Sequence, residues 1–185
     1  LNQFFLNKIY RISNKKIDWK PVFNFNYKFK YTQNYSKKIR FSFLNITQEL
    51  KLPFRWNTYE PRLWKWNLLY FNWIGDWLNL FCDKKDTSQL ILIEKIFDDW
   101  IINNPIGKGD AWHSYVISLR LRNIIWAFSF FPHLISKKRI NSLWDQMCWL
   151  STHKEIHHGG NHYLENLISL GPKVLFIKFW FLIKG

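Results

Sequence analysis

From Arg62 onward apolar residues recur at helical spacing, and that period constrains the fold more than any other feature of the chain. The run Leu63 to Cys82 (LWKWNLLYFNWIGDWLNLFC) is apolar nearly all round, which predicts a helix covered on several sides. Gly75 interrupts it at a modest cost in helix propensity. Asp86-Thr87-Ser88 supplies caps for the next helix, whose stripe is Leu90, Ile93, Phe97, Trp100 and Ile101 and whose end is Asn103-Asn104-Pro105. A helix from Ser114 to Phe131 gathers Ile117, Leu121, Ile124, Ile125 and Phe128 on one face. Another, Lys137 to Ile156, turns Ile140, Leu143, Trp144, Met147 and Leu150 inward. A last helical run opens on Asn161 and stops at Gly171-Pro172. Successive amphipathic helices with short connections predict a mainly α fold of stacked helical hairpins, as in an α-solenoid or an α/α toroid.

Residues 1–58 follow a different rule. Val22 to Tyr31 (VFNFNYKFKY) and Ile39 to Leu44 (IRFSFL) place apolar and aromatic residues at every second position, the alternation of half-exposed strands. They predict one or two short strands or an extended arm packed on the main body. Glu49 to Pro61, with Pro53, Asn57 and Pro61, reads as a loop. The division expected is an arm over 1–58 and a helical domain over 59–185. The apolar tail Val174 to Ile183 is too short to span a bilayer and is broken by Lys178, so no membrane span is expected. Cys82 and Cys148 fall inside predicted helices, and spacing leaves open whether they pair or stay reduced.

Aromatics are 20% of the chain and include twelve Trp. Most must pack in a core, though a surplus of Trp and Tyr also suits a sugar-stacking cleft. The net charge is +14, from 27 Lys and Arg against 13 Asp and Glu. It favours a polyanionic partner, whether nucleic acid, an acidic membrane surface or an acidic polysaccharide. The lysines are spread along the chain, so a merely solubilising surface accounts for them equally well. No nucleic-acid motif and no strongly basic amphipathic helix accompanies the charge, which ranks nucleic acid and membrane last.

Chemistry concentrates in Leu150 to Gly171 (LSTHKEIHHGGNHYLENLISLG), where one helix ends at Gly159-Gly160 and another opens on Asn161. His158, Asn161 and His162 form a polar cluster at that junction. The first amides of a helix lack intrahelical partners and the macrodipole is positive there, so a carboxylate or sulfate finds donors in place. A plain structural turn with Asn161 as N-cap explains the same residues. His153/His157 and His158/His162 are spaced i,i+4, but the glycine pair separates them, no His-Glu-x-x-His is present and the cysteines are remote. No metal and no other cofactor is expected. The glycines of Asn103 to His113 (NNPIGKGDAWH) match neither a P-loop nor a dinucleotide fingerprint. Arg120 lies close to the apolar face of its helix, which suits either a substrate-binding arginine or a buried structural one.

Four stretches in order carry a family likeness: Leu63 to Phe71 (LWKWNLLYF), Asn103 to Gly109 (NNPIGKG), Trp112 to Asn123 (WHSYVISLRLRN) and Gly160 to Leu170 (GNHYLENLISL). Together they resemble the N-terminal domain of heparinase II/III-type polysaccharide lyases, which include alginate and oligoalginate lyases. The resemblance implies an incomplete α/α toroid, a β-sandwich domain after it as intramolecular partner, and a periplasmic or secreted bacterial-type setting. It implies β-elimination on a uronic-acid-containing polysaccharide such as a heparan sulfate- or alginate-type polymer. Asn161 falls on the family's carboxylate-neutralising Asn and His162 follows it, with Arg120, Trp112, Tyr115 and His158 as substrate-binding candidates in the cleft. The family's catalytic Tyr and second His would lie beyond Gly185, so the chain is expected to be a fragment, inactive alone. A non-catalytic binder of acidic polysaccharide is the alternative.

Overall fold

The computed structural model describes residues 38–84, 88–156 and 160–171, and the fold over them is mainly helical with one two-stranded sheet. Ile39–Phe43 (β1) pairs antiparallel with Ile46–Leu50 (β2), Ile39 opposite Leu50 and Phe43 opposite Ile46. The turn residues Leu44 and Asn45 both have positive φ (54° and 60°), the backbone hand that matches the twist of a tight hairpin. The alternation read from Ile39 to Leu44 holds: Ile39 and Phe41 face the core while Arg40 and Ser42 face solvent. β2 was not anticipated, and it carries the strand to Leu50, into the segment expected to be loop. The strand reading of Val22 to Tyr31 and the tail Val174 to Ile183 lie outside the described residues. The hairpin shares the main core. Phe41 packs 5.4 Å from the Trp73 ring and 5.3 Å from Trp77, and the Trp64 indole donates to the Ile46 carbonyl.

Arg62–Tyr70 (α1) and Trp73–Lys84 (α2) replace the single helix expected over Leu63 to Cys82. The interruption falls at Phe71 rather than Gly75, which lies within α2. Phe71 caps α1 in the left-handed region, at φ 61° and ψ 21°. That conformation costs a residue with a Cβ about 1–2 kcal/mol. Full burial of the ring among Trp56, Trp73, Phe97 and Trp100, stabilising by roughly 2–3 kcal/mol, offsets it.

Ser88–Asn103 (α3), Ser114–Phe130 (α4) and Lys137–Thr152 (α5) follow, with short 3-10 turns at Asp110–Trp112 and Pro132–Leu134. The predicted stripes are largely the buried faces: Leu90, Ile93, Phe97 and Trp100 on α3, Ile117, Leu121, Ile124 and Phe128 on α4, and Ile140, Leu143, Met147 and Leu150 on α5, while Ile101, Ile125 and Trp144 are only partly buried at their edges. α4 is the central element, packing against α1, α2 and α5, while α3 packs on α2 and α5. α5 stops at Thr152, short of the expected Ile156, because His153 takes the C-cap and stacks on Trp149 at 3.7 Å. The last helix, α6, covers 160–171 of the described residues, and Gly160 has φ 57°, a value that favours glycine. Cys82 and Cys148 are both thiols. Among the described residues no helix is long and apolar enough to cross a membrane.

Candidate functional site

α6 is fastened to α4 by polar contacts rather than by a deep apolar seam. Asn166 and Ser169 are buried; the Asn166 amide donates to Ser118 Oγ (2.9 Å) and Ser169 Oγ to the Ser118 carbonyl (2.8 Å). Arg122 grips both oxygens of Glu165, at 2.9 and 2.8 Å, across the same two helices. These contacts set the N-terminal turn of α6 beside the start of α4 and the chain leaving α5.

Asn161 is exposed in that first turn. His162 lies next to it with 42% of its side chain exposed, its ring stacked on Tyr115 at 4.0 Å and 14°. Its Nδ1 is 3.2 Å from Glu155 Oε1. The same oxygen is 3.8 Å from Nε2 of His113, the residue that caps α4. Glu155 is held by its backbone amide, which donates to Asn166 Oδ1 at 2.8 Å. The His113 ring rests 4.8 Å from Trp66, and Trp66 in turn lies under the Arg62 guanidinium at 4.9 Å. Arg62 and Lys65 both bind Asp110, at 2.7 and 2.8 Å. The result is a continuous polar and aromatic face running from Arg62 to Asn161.

Charge along this face is graded by burial. Burial pushes the Asp110 carboxyl up, but hydrogen bonds from Arg62 and Lys65 outweigh it and hold the group at about 2. Burial pushes the His113 imidazole below its ordinary range, with Glu155 pulling the other way. Tyr70, edge-on to Tyr115 at 6.0 Å, is pushed up to about 12 by burial and then by Tyr115, so it remains a neutral phenol. At Asn161 the exposed side-chain amide and the neighbouring His162 imidazole are the polar groups open to solvent.

The remaining candidates separate. Tyr115 joins the site through its stack on His162. His158 lies outside the described residues. Arg120 is fully buried, so the substrate-binding expectation gives way to its structural alternative. Its guanidinium donates to Gln146 Oε1, the Leu69 carbonyl and the Ala111 carbonyl, and it lies 4.1 Å over the Trp100 ring. Trp112 is 5% exposed, and its indole donates to the Asn104 carbonyl. It borders a cleft of about 300 Å³ with Asn104, Lys138 and Asp145, whose lining includes neither Asn161 nor His162.

Sequence reading missed Glu155 and did not assign His113 to the site. Glu155 stands seven positions before His162, but the glycine pair between them reads as a helix break, so no helical period could be carried across from one to the other. The loop glycines also find their reason in packing. Gly107 has φ 77° and a Cβ there would lie 2.6 Å from the Trp149 ring, while at Gly109 (φ 68°) a Cβ would lie 2.9 Å from Asn57 Oδ1. Among the described residues no group of three or more His, Cys, Asp or Glu side chains is arranged to hold a metal ion. The chain matches no protein-family model, no curated protein and no solved structure.

Proposed function

We propose that this chain is the α/α-toroid part of a polysaccharide lyase that cleaves uronic-acid-containing polysaccharide by β-elimination, with Asn161 and His162 neutralising the uronate carboxylate. The observation that carries the reading is the open position of that pair: Asn161 exposed and His162 half-exposed at the first turn of α6.

Removal of the C5 proton of a uronate drives further negative charge onto a carboxylate that is already anionic. Donors fixed at that carboxylate therefore stabilise the transition state more than the ground state. The Asn161 amide and an N–H of the His162 imidazole are donors of this kind, whereas a carboxylate side chain in their place would oppose the reaction. Tyr115 fixes the imidazole plane. Deprotonation at C5 falls, in this reading, to the tyrosine and histidine that the family likeness implies.

Binding tests the step assigned to these residues. Calorimetric titration with an unsaturated-end uronate oligosaccharide should show affinity that falls by roughly tenfold or more in Asn161→Ala, the loss expected for one hydrogen bond to a charged group. A reduced, carboxyl-free analogue should bind the wild type no better than it binds the variant. Equal affinity of wild type and Asn161→Ala for the uronate removes the site assignment.

A further inference from the structure

Among the described residues, Glu155 is a carboxylate with 10% of its side chain exposed that is bridged by no lysine or arginine, its ion-pair neighbours being His113 and His162. We propose that Glu155 is the positioning residue of His162, accepting a hydrogen bond from Nδ1–H so that substrate contact and proton exchange take place at Nε2. The proposal rests on the reading above for what His162 contacts, but not for how its ring is held.

Three observations support it. The Nδ1 to Oε1 distance of 3.2 Å is a hydrogen bond, while His113 Nε2 at 3.8 Å from the same oxygen is outside that range. Burial keeps His113 below its ordinary range, so it does not compete as a cation for the carboxylate. The glutamate is also tied down: its amide donates to Asn166 Oδ1, and the Asn166 amide donates to the buried Ser118 hydroxyl, which itself donates to the Ser114 carbonyl. Asn166 is on the helix of His162, so one short network holds both partners of the pair. Tyr115 fixes the ring plane and Glu155 fixes the rotation within it.

This arrangement reconciles a glutamate with an anion site. A carboxylate facing the substrate would repel a uronate, but one behind the imidazole takes up Nδ1–H and leaves Nε2 on the ligand side of the ring. Charged groups near the pair among the described residues include Lys154, whose Nζ donates to the Ser151 carbonyl, Arg62 and Lys65, which both bind Asp110 beyond His113, and the Arg122–Glu165 bridge between α4 and α6.

The whole chain labelled with ¹⁵N-histidine tests the proposal without any substrate. Long-range ¹H–¹⁵N spectra of wild type should show Nδ1 of His162 protonated throughout a pH titration and Nε2 as the nitrogen that loses its proton. Glu155→Gln retains an acceptor oxygen and should keep that pattern, whereas Glu155→Ala should return His162 to a mixture of tautomers. A wild-type His162 that deprotonates at Nδ1, or a Glu155→Ala spectrum with the wild-type tautomer, overturns the proposal. The wild-type spectrum decides even where a variant fails to fold. Uronate binding indifferent to Asn161→Ala would sink the functional reading and leave this one intact, so the two fail separately.

Discussion

Asp110 and His133 give the folded chain two acid-sensitive groups in different pH windows. Burial and then the Arg139 guanidinium push His133 down to about 4, so between the ordinary histidine value of roughly 6.5 and that point only the unfolded chain binds its proton. Stability contributed by a neutral His133 is therefore present above that window and is lost as pH falls through it. Asp110, held at about 2, acts with the same sign lower down: its contribution is full above the ordinary carboxylate value and is lost as pH drops towards 2. Urea unfolding across a pH series should show two successive declines, the upper one flattened in His133→Gln and the lower one in Asp110→Asn. A lower limb unchanged in Asp110→Asn contradicts the ion-pair account. Gly107 is a residue-scale constraint of another sort. Gly107→Ala adds a strained positive φ to a 2.6 Å approach to Trp149, and should cost about 1–3 kcal/mol in denaturant unfolding. The glycines of NNPIGKG were visible in the sequence, but the rings and amide they approach were not, since Trp149 and Asn57 are far away along the chain.

At the scale of elements, Arg120 does work that no apolar residue at its position could do. It leaves α4 and donates to the Leu69 carbonyl of α1, the Ala111 carbonyl of the 3-10 turn and Gln146 of α5, with Trp100 of α3 beneath its guanidinium. Arg120→Lys replaces a planar fork by a single ammonium that cannot reach all of these acceptors. It should lower the unfolding free energy by about 2–4 kcal/mol, read from the denaturant midpoint at unchanged slope. A loss under about 0.5 kcal/mol, the range of ordinary surface substitutions, would mean that the network is not holding the helices together. Helix positions and inward faces from α3 to α5 were legible because period and burial coincide there. The break at Phe71 was not, since it depends on a pocket built by Trp56, Trp73, Phe97 and Trp100 from three other parts of the chain. β2 was hidden for a related reason: ITQEL has weak alternation and becomes a strand by pairing with β1.

For the whole molecule, the proposed binding of an acidic polymer has a competing explanation in the +14 charge, which would attract such a polymer unspecifically. The two routes differ in salt dependence and in structure. Binding through scattered lysines weakens steeply as ionic strength rises and survives Asn161→Ala, as the alternative of a non-catalytic binder requires. Binding through the α6 turn, as proposed, should depend on Asn161 and keep a preference for uronate over a neutral sugar at about 0.15 M salt. Affinity for heparin-type polymer measured at low and physiological salt, in wild type and Asn161→Ala, separates them; a fully salt-suppressed, Asn161-independent isotherm would favour the alternative.

By itself the sequence determined where α3 to α5 form, which of their faces turn inward, and that an amide and an imidazole follow a glycine. These are local properties, written in periods of a few residues and in the backbone freedom of glycine. Only the tertiary structure decided that Arg120 belongs to the core and that Glu155 and His113 stand beside His162. The physical reason is that side chains remote along the chain meet through packing, and burial then sets which of them carry charge.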